Sequence, residues 1–298
     1  MRLSQVAAAI DGKLIGRDFI VQGVCSLDNP KPYCIGFVND ESSNCKVDSQ
    51  SRELALIVGS GYASSFQGSR ILVKTEPRAA FARAMYLLYP QTEHLEVHST
   101  AVVHPSAVIG NRCSVGSYSI IEEDVVIGDG VHLGHHVVLG RKTRIGNSFS
   151  VGSNTVIGTS GFGFVADDVT QGRHIRIPHI GGVRIESNVE IGSCVVIARG
   201  TIDDTVIGPY VKIDDHVFVA HNVSIGENSI IIAGTEISGS VVIEDNCWIA
   251  PQVTVSNGVT VGAGSLVGIG TVVTRDVPGG MVVVGNPARV LRSRAIEE

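Results

Sequence analysis

Between Asp214 and Asn222 the chain reads Asp-Asp-His-Val-Phe-Val-Ala-His-Asn, which sets carboxylates and imidazoles close together. Histidine is the side chain whose ordinary titration falls between about pH 5 and 8, so it can exchange a proton in neutral water. His221 lies two positions after the aliphatic Val219, and His216 two positions before Phe218. Both can line one cleft. A second cluster, His132, His135 and His136, contains ligand types that suit zinc. Proton transfer, metal binding and plain solvated corners are all open to such residues.

The elements that must position them are set by a six-residue beat. An aliphatic residue, often followed by Gly, recurs without a slip from Ile109 through Val115, Ile121, Ile127, Leu133, Leu139, Ile145 and Val151 to Ile157. Val97 and Val103 extend it upstream, and it resumes at Ile185 and runs to Val273. Hexads of this kind mark a parallel β-helix, with three hexads to a triangular coil. Gly239 follows His221 by three hexads, one full coil, so it should lie beside His221 on the next coil. Gly, Asn and Asp crowd the positions after the aliphatic residue, where tight corners need unusual backbone angles. The beat breaks at Thr159–Gly182, which holds Phe162 and Phe164, and at Ala198–Thr205, where four extra residues enter. Insertions must loop out of a solenoid, and such loops often carry binding groups.

Residues 1–96 lack the beat. Leu3, Val6, Ala7 and Ile10 sit at helical spacing, and Pro77 opens a second helical pattern that Pro90 ends. Phe19–Cys25, Leu54–Val58 and Ile71–Val73 read as strands. The expected organisation is a small α/β domain over 1–96, a β-helix over 97–273 and a short cap over 274–298, mainly β overall.

Composition narrows the function classes. The 298 residues carry a net charge of −6, which advertises no basic surface for nucleic acid. No apolar run approaches the roughly 18–20 residues that span a bilayer, and Met-Arg-Leu-Ser starts no secretory signal, so a cytoplasmic protein is expected. The cysteines, at 25, 34, 45, 113, 194 and 247, form no CxxC pair and read as free thiols.

The motifs Gly161-Phe-Gly-Phe, Arg199-Gly-Thr-Ile-Asp-Asp-Thr-Val-Ile-Gly and Ile213-Asp-Asp-His-Val-Phe-Val-Ala-His-Asn-Val-Ser-Ile-Gly resemble those of hexapeptide-repeat acyltransferases. The resemblance is strongest to the N-acyltransferases of lipid A synthesis that act on UDP-3-O-acylglucosamine. It implies a left-handed β-helix, a homotrimer with active sites between prisms, and a nucleotide-linked amino sugar as acceptor. It implies that His221 is the general base, that Asp214 supports it, and that the Gly239 amide holds the oxyanion. Asp215, His216, Phe162 and Phe164 are then expected at the substrate.

Departures from that family bear on both substrates. Asn39 matches a uridine-binding position and Phe37 offers a stacking face, but the family's Lys-Tyr pair is missing from Ile35–Ser43. Val259 stands where the family has a histidine near the acyl site, and Ala198 where it has an aspartate. The ending, Gly285-Asn-Pro-Ala-Arg-Val, is instead similar to coenzyme A-dependent sugar acetyltransferases. That similarity implies an acyl-CoA donor, with Arg275 and Arg289 toward its phosphates, and no tightly bound cofactor. The alternatives are an acyl carrier protein donor, as in the lipid A enzyme, a zinc lyase of the gamma-carbonic anhydrase type, and a non-catalytic binding solenoid.

Overall fold

The structure is a computed structural model and describes residues 1–39, 53–60, 68–90 and 95–294. Cys45, the Asp40–Ser43 part of the expected uridine stretch, and Ala295–Glu298 lie outside the described residues. The chain forms two compact units, Met1–Glu93 and His94–Glu298.

In the first unit a five-stranded sheet runs in the order Lys13–Ile15, Ser69–Val73, Ala55–Gly59, Cys34–Phe37, Gly23–Val24. Only the Lys13–Ile15 edge is antiparallel to its neighbour. The expected strand over Phe19–Cys25 shortens to Gly23–Val24, with Ile20 making an isolated bridge to Arg2. Helices Leu3–Ala9 and Pro77–Leu88 share a core with Ile35, Ile57 and Ile71. Pro77 occupies the first turn, where its missing N–H costs nothing, and Glu76 caps the amides of Arg78 and Ala79 at 3.1 and 2.8 Å.

The second unit is a parallel β-helix whose faces are sheets of eight, ten and nine strands. Partners step by three hexads, as Val108 to Val126 and Val126 to Arg144 show. The column of Ile121, Leu139, Ile157, Ile197, Val219, Ile237 and Val255 stacks inside at 1% exposure or less. Two positions before each aliphatic residue a second side chain also points inward, because side chains alternate along a strand. Where that residue is hydroxylic it returns its proton to a carbonyl, as Thr155 does to Gly192 and Ser229 to Glu244, both at 2.9 Å.

Apart from Gly158 at 88°, positive φ angles do not fall on the glycine right after the aliphatic residue. They fall two positions later, where Asn154, His216 and Asn222 have φ of 61, 59 and 61°. The first glycine answers a different demand. A Cβ on Gly116 would stand 2.4 Å from the Gly134 carbonyl oxygen, so it is close stacking of coils that excludes a side chain there.

The two breaks in the beat leave the prism where expected. The register steps by 40 at Thr143–Val183 and by 22 at Val183–Thr205, then returns to 18 at Val206–Ser224. The longer excursion folds into an antiparallel hairpin, Phe164–Asp167 against Arg173–Arg176. At the far end Met281–Val284 pairs in parallel with Leu266–Val267, and Arg289–Ser293 reverses along it.

Candidate active site

The corners of the prism carry a recurring backbone device. The N–H two positions after each aliphatic residue is commonly held by a side chain from the next coil. Asn111 donates to Asp129 at 2.7 Å, Ser193 to Asp215 at 2.6 Å and Glu227 to Asp245 at 2.8 Å. His221 and Gly239 occupy this same corner position on adjacent coils. Because Gly239 has no side chain, the His221 amide receives no such cap. Among the described residues the Gly239 N–H also forms no hydrogen bond, although Asn257 stands on the following coil.

Gly239 lies against the His221 ring. A Cβ there would fall 2.8 Å from Cε1 and 3.0 Å from Nε2. The other ring nitrogen, Nδ1, faces the Asn222 Oδ1 at 3.2 Å. That oxygen also accepts from the Thr201 N–H at 2.7 Å and the Thr201 hydroxyl at 3.0 Å. An amide oxygen can only accept, so Nδ1 carries the proton and Nε2 presents its lone pair beside Gly239. A base and an unengaged N–H donor thus stand side by side at a half-buried corner.

Asp214 has a different set of partners from the one expected of it. Its Oδ1 accepts from the Asp215 N–H at 2.8 Å and its Oδ2 from the Ala233 N–H at 3.2 Å. Within one chain Asn222, not Asp214, holds the imidazole. Asp215 caps Ser193, and His216 is an exposed corner residue. All three stand at the corner before His221.

The long excursion comes back over His221 and brings a residue that motif reading missed. His179 is only 5% exposed, and its ring meets the His221 ring edge to face at 4.9 Å between centroids. Burial pushes its pKa below that of ordinary histidine. Gly161 runs over both rings, its carbonyl held by Arg176 at 3.1 Å. Phe162 follows it at 83% exposure and meets Phe164 at 4.9 Å, while the Arg176 guanidinium lies 4.6 Å from the centre of the Phe164 ring. Arg199, 7% exposed, donates to the Gly158 carbonyl at 2.7 Å and anchors the start of the excursion. Only Pro178-His179, just before the chain re-enters the coil, could have signalled the buried histidine.

Arg275 and Arg289 come together in a cleft of about 370 Å³ at the last coil, with Thr274, Asp276 and Ala288 in its walls. In the first unit Phe37 packs on Phe81 at 4.8 Å, and Asn39 is exposed just past that strand. The three clustered histidines do not converge. His132 pairs with the Ser114 hydroxyl at 2.8 Å, His135 with the Ser117 hydroxyl at 3.0 Å, and His136 stacks on Tyr118. No cluster among the described residues could hold a metal ion.

Comparison with known proteins fits this geometry. The model of the bacterial transferase hexapeptide (six repeats) matches residues 106–141 and 204–239. A UDP-3-O-acylglucosamine N-acyltransferase from Coxiella burnetii is 37% identical over 258 residues, 80% of this chain and 74% of the relative. The chain belongs to the UDP-3-O-acylglucosamine N-acyltransferase family. A relative of the same name from Methylorubrum extorquens is 40% identical over 137 residues, 46% of this chain. The match spans only 38% of that relative's length. Among solved structures, LpxA from Acinetobacter baumannii superposes with a TM-score of 0.55 at 25% identity, over 65% of this chain and 73% of that one. The family's solenoid is the left-handed β-helix. No helix among the described residues is long and apolar enough to cross a membrane.

Proposed function

We propose that the protein is an N-acyltransferase that moves an acyl group from a thioester to the amine of a nucleotide-linked amino sugar, in the synthesis of lipopolysaccharide or a related glycan. The observation that carries this reading is the pairing of a free Nε2 on His221 with the unengaged Gly239 N–H beside it. The amine nitrogen attacks the thioester carbonyl carbon and forms the new C–N bond. The Gly239 N–H takes the oxyanion of the tetrahedral intermediate. His221 Nε2 removes the proton that the nitrogen sheds. Collapse breaks the C–S bond, and the imidazolium returns its proton to the departing thiolate, so an amide and a free thiol leave.

The family name supports the substrate class, and the active unit is a homotrimer in this reading. Val102 and Ile120 leave exposed apolar side chains on neighbouring strands of one face of the prism, which a neighbouring copy would cover. Asp214 and His221 stand on successive corners of one prism, so a carboxylate reaches the base where corners of two copies face each other. The amino sugar lies against Phe162, Phe164, Asp215 and His216.

The donor is an acyl-CoA. The cleft that holds Arg275 and Arg289 supports it, because guanidinium groups suit phosphate oxygens. Acyl carrier protein is the competing donor. Replacing both arginines by alanine is expected to raise KM for acyl-CoA about tenfold or more, with little change in KM for the sugar. An unchanged KM would remove CoA phosphates from this cleft.

The reading as a whole is tested by a mass-spectrometric screen of amino-sugar nucleotides against acyl-CoA and acyl carrier protein donors. An N-acylated product and a stoichiometric free thiol are expected. No thioester consumption with any pair would favour a binding solenoid.

A further inference from the structure

We propose that His179 is a positioning residue for His221, an uncharged imidazole that braces the base and leaves an acceptor lone pair for the charge the base gains. This rests on the reading of His221 as the base. His179 Nδ1 lies 2.9 Å from the Ile177 carbonyl oxygen. A carbonyl accepts only, so Nδ1 carries the hydrogen and Nε2 has none. Nε2 is buried and has no hydrogen-bond partner in the described structure. Buried polar atoms are seldom left in that state, and those that are call for an explanation.

The surroundings of this lone pair supply one. The vacant Cβ point of Gly161 lies 2.5 Å from His179 Nε2 and 2.9 Å from His221 Cδ2. The Gly161 backbone therefore closes over the seam between the two rings, and any side chain there would part them. Gly163 is held the same way, its Cβ point 3.1 Å from His179 Cε1. Its carbonyl accepts from the Ile177 N–H at 2.9 Å, next to the carbonyl that fixes His179. The Gly161-Phe-Gly-Phe strap, Ile177 and His179 thus form one braced layer over His221. The glycines in that strap serve the histidine pair, while Phe162 and Phe164 point to other work.

The surroundings of His179 lower its affinity for a proton. Burial opposes the proton most; the hydrogen bond to the Ile177 carbonyl favours it, and the nearby His221, Arg176 on the hairpin and Arg199 at the excursion's root oppose it. A neutral ring is what the base requires of this neighbour. Two adjacent imidazolium rings would repel, whereas a neutral one with an open lone pair attracts the charge that His221 acquires when it takes the amine's proton.

The test uses the full-length protein and three variants: His179→Phe, which keeps a ring without an acceptor; His179→Gln, which keeps an acceptor; and His179→Ala. The Phe variant is expected to lose about 10- to 100-fold in kcat with both KM values unchanged, since small misplacements of a catalytic group cost that much. Gln should recover part of the loss, and the acid limb of the kcat/KM profile should move to lower pH in the Phe variant. Wild-type kcat in all three, or a loss confined to KM for the sugar, would overturn the proposal. So would lower melting temperatures with unchanged kcat.

A second measurement needs no substrate and no variant. Long-range proton–nitrogen NMR of the wild-type histidines should show His179 as the Nδ1–H tautomer, neutral below the pH at which ordinary histidines titrate. An Nε2–H tautomer, or titration near pH 6.5, overturns the pairing. If NMR supports the pair while no amino sugar is acylated, it is the acyltransferase reading that fails.

Discussion

Alanine at His221 is expected to reduce kcat by about 100- to 10,000-fold, the range over which a positioned general base acts. Little else should change. The ring is half-buried at a corner and its one hydrogen bond runs to its neighbour Asn222, so removing it opens no core cavity. The stability cost should stay within about 1 kcal/mol, as for substitutions away from packed features. KM for either substrate should hold, because the imidazole acts on a proton that becomes acidic only after the amine has begun its attack. His221→Gln sharpens the test. It keeps a polar group of similar reach and loses the basic nitrogen, so it should be as inactive as the alanine variant. Steady-state rates and melting curves on the same preparations decide it. A Gln variant with wild-type kcat would mean that His221 only holds substrate, and the base would have to be sought elsewhere.

What the sequence could and could not show follows from where the period holds. From Val206 to Val273 each coil takes three hexads, so residues that far apart must stack, and Gly239 beside His221 could be read by counting. Counting fails across Thr159–Gly182, because residues outside the prism have no phase. Nothing in the beat says where residue 179 returns, and the histidine that touches His221 was invisible for that reason. Asp214 shows a second limit. Its corner was legible, but a carboxylate on a corner has two kinds of partner, the amide ladder and any nearby ring. The backbone wins within one chain because the N–H groups of the adjacent Asp215 and of Ala233, one coil away, are fixed and close. The glycines were legible as a pattern but not as a cause. Close coil stacking, and not left-handed geometry, places them after the aliphatic residue, and the left-handed corners are filled mostly by other residues. In the first unit, Phe37 could be read as an open stacking face only because its contact with Phe81, far along the chain, leaves no local trace.

Gly239→Ala separates the two roles placed at this corner. The φ of Gly239 is not in the left-handed region, so alanine needs no strained backbone. Its methyl group would stand 2.8 Å from His221 Cε1 and 2.9 Å from Asn257 Oδ1, closer than such atoms approach. The N–H survives the substitution, so the oxyanion donor is chemically intact and only the geometry of the pair changes. His221 can yield more easily than the backbone, since its ring is held by one hydrogen bond to Asn222 and by packing on His179. The expected result is a fall in kcat of about 100-fold or more, with the fold and both KM values kept, because the base moves relative to a donor that stays still. A double variant with His179→Ala tests the displacement, because both changes would then act on one ring. A combined loss smaller than the two single losses together would show that the methyl group acts through His221. Additive losses would instead place the damage at the oxyanion, through a shift of the Gly239 amide itself.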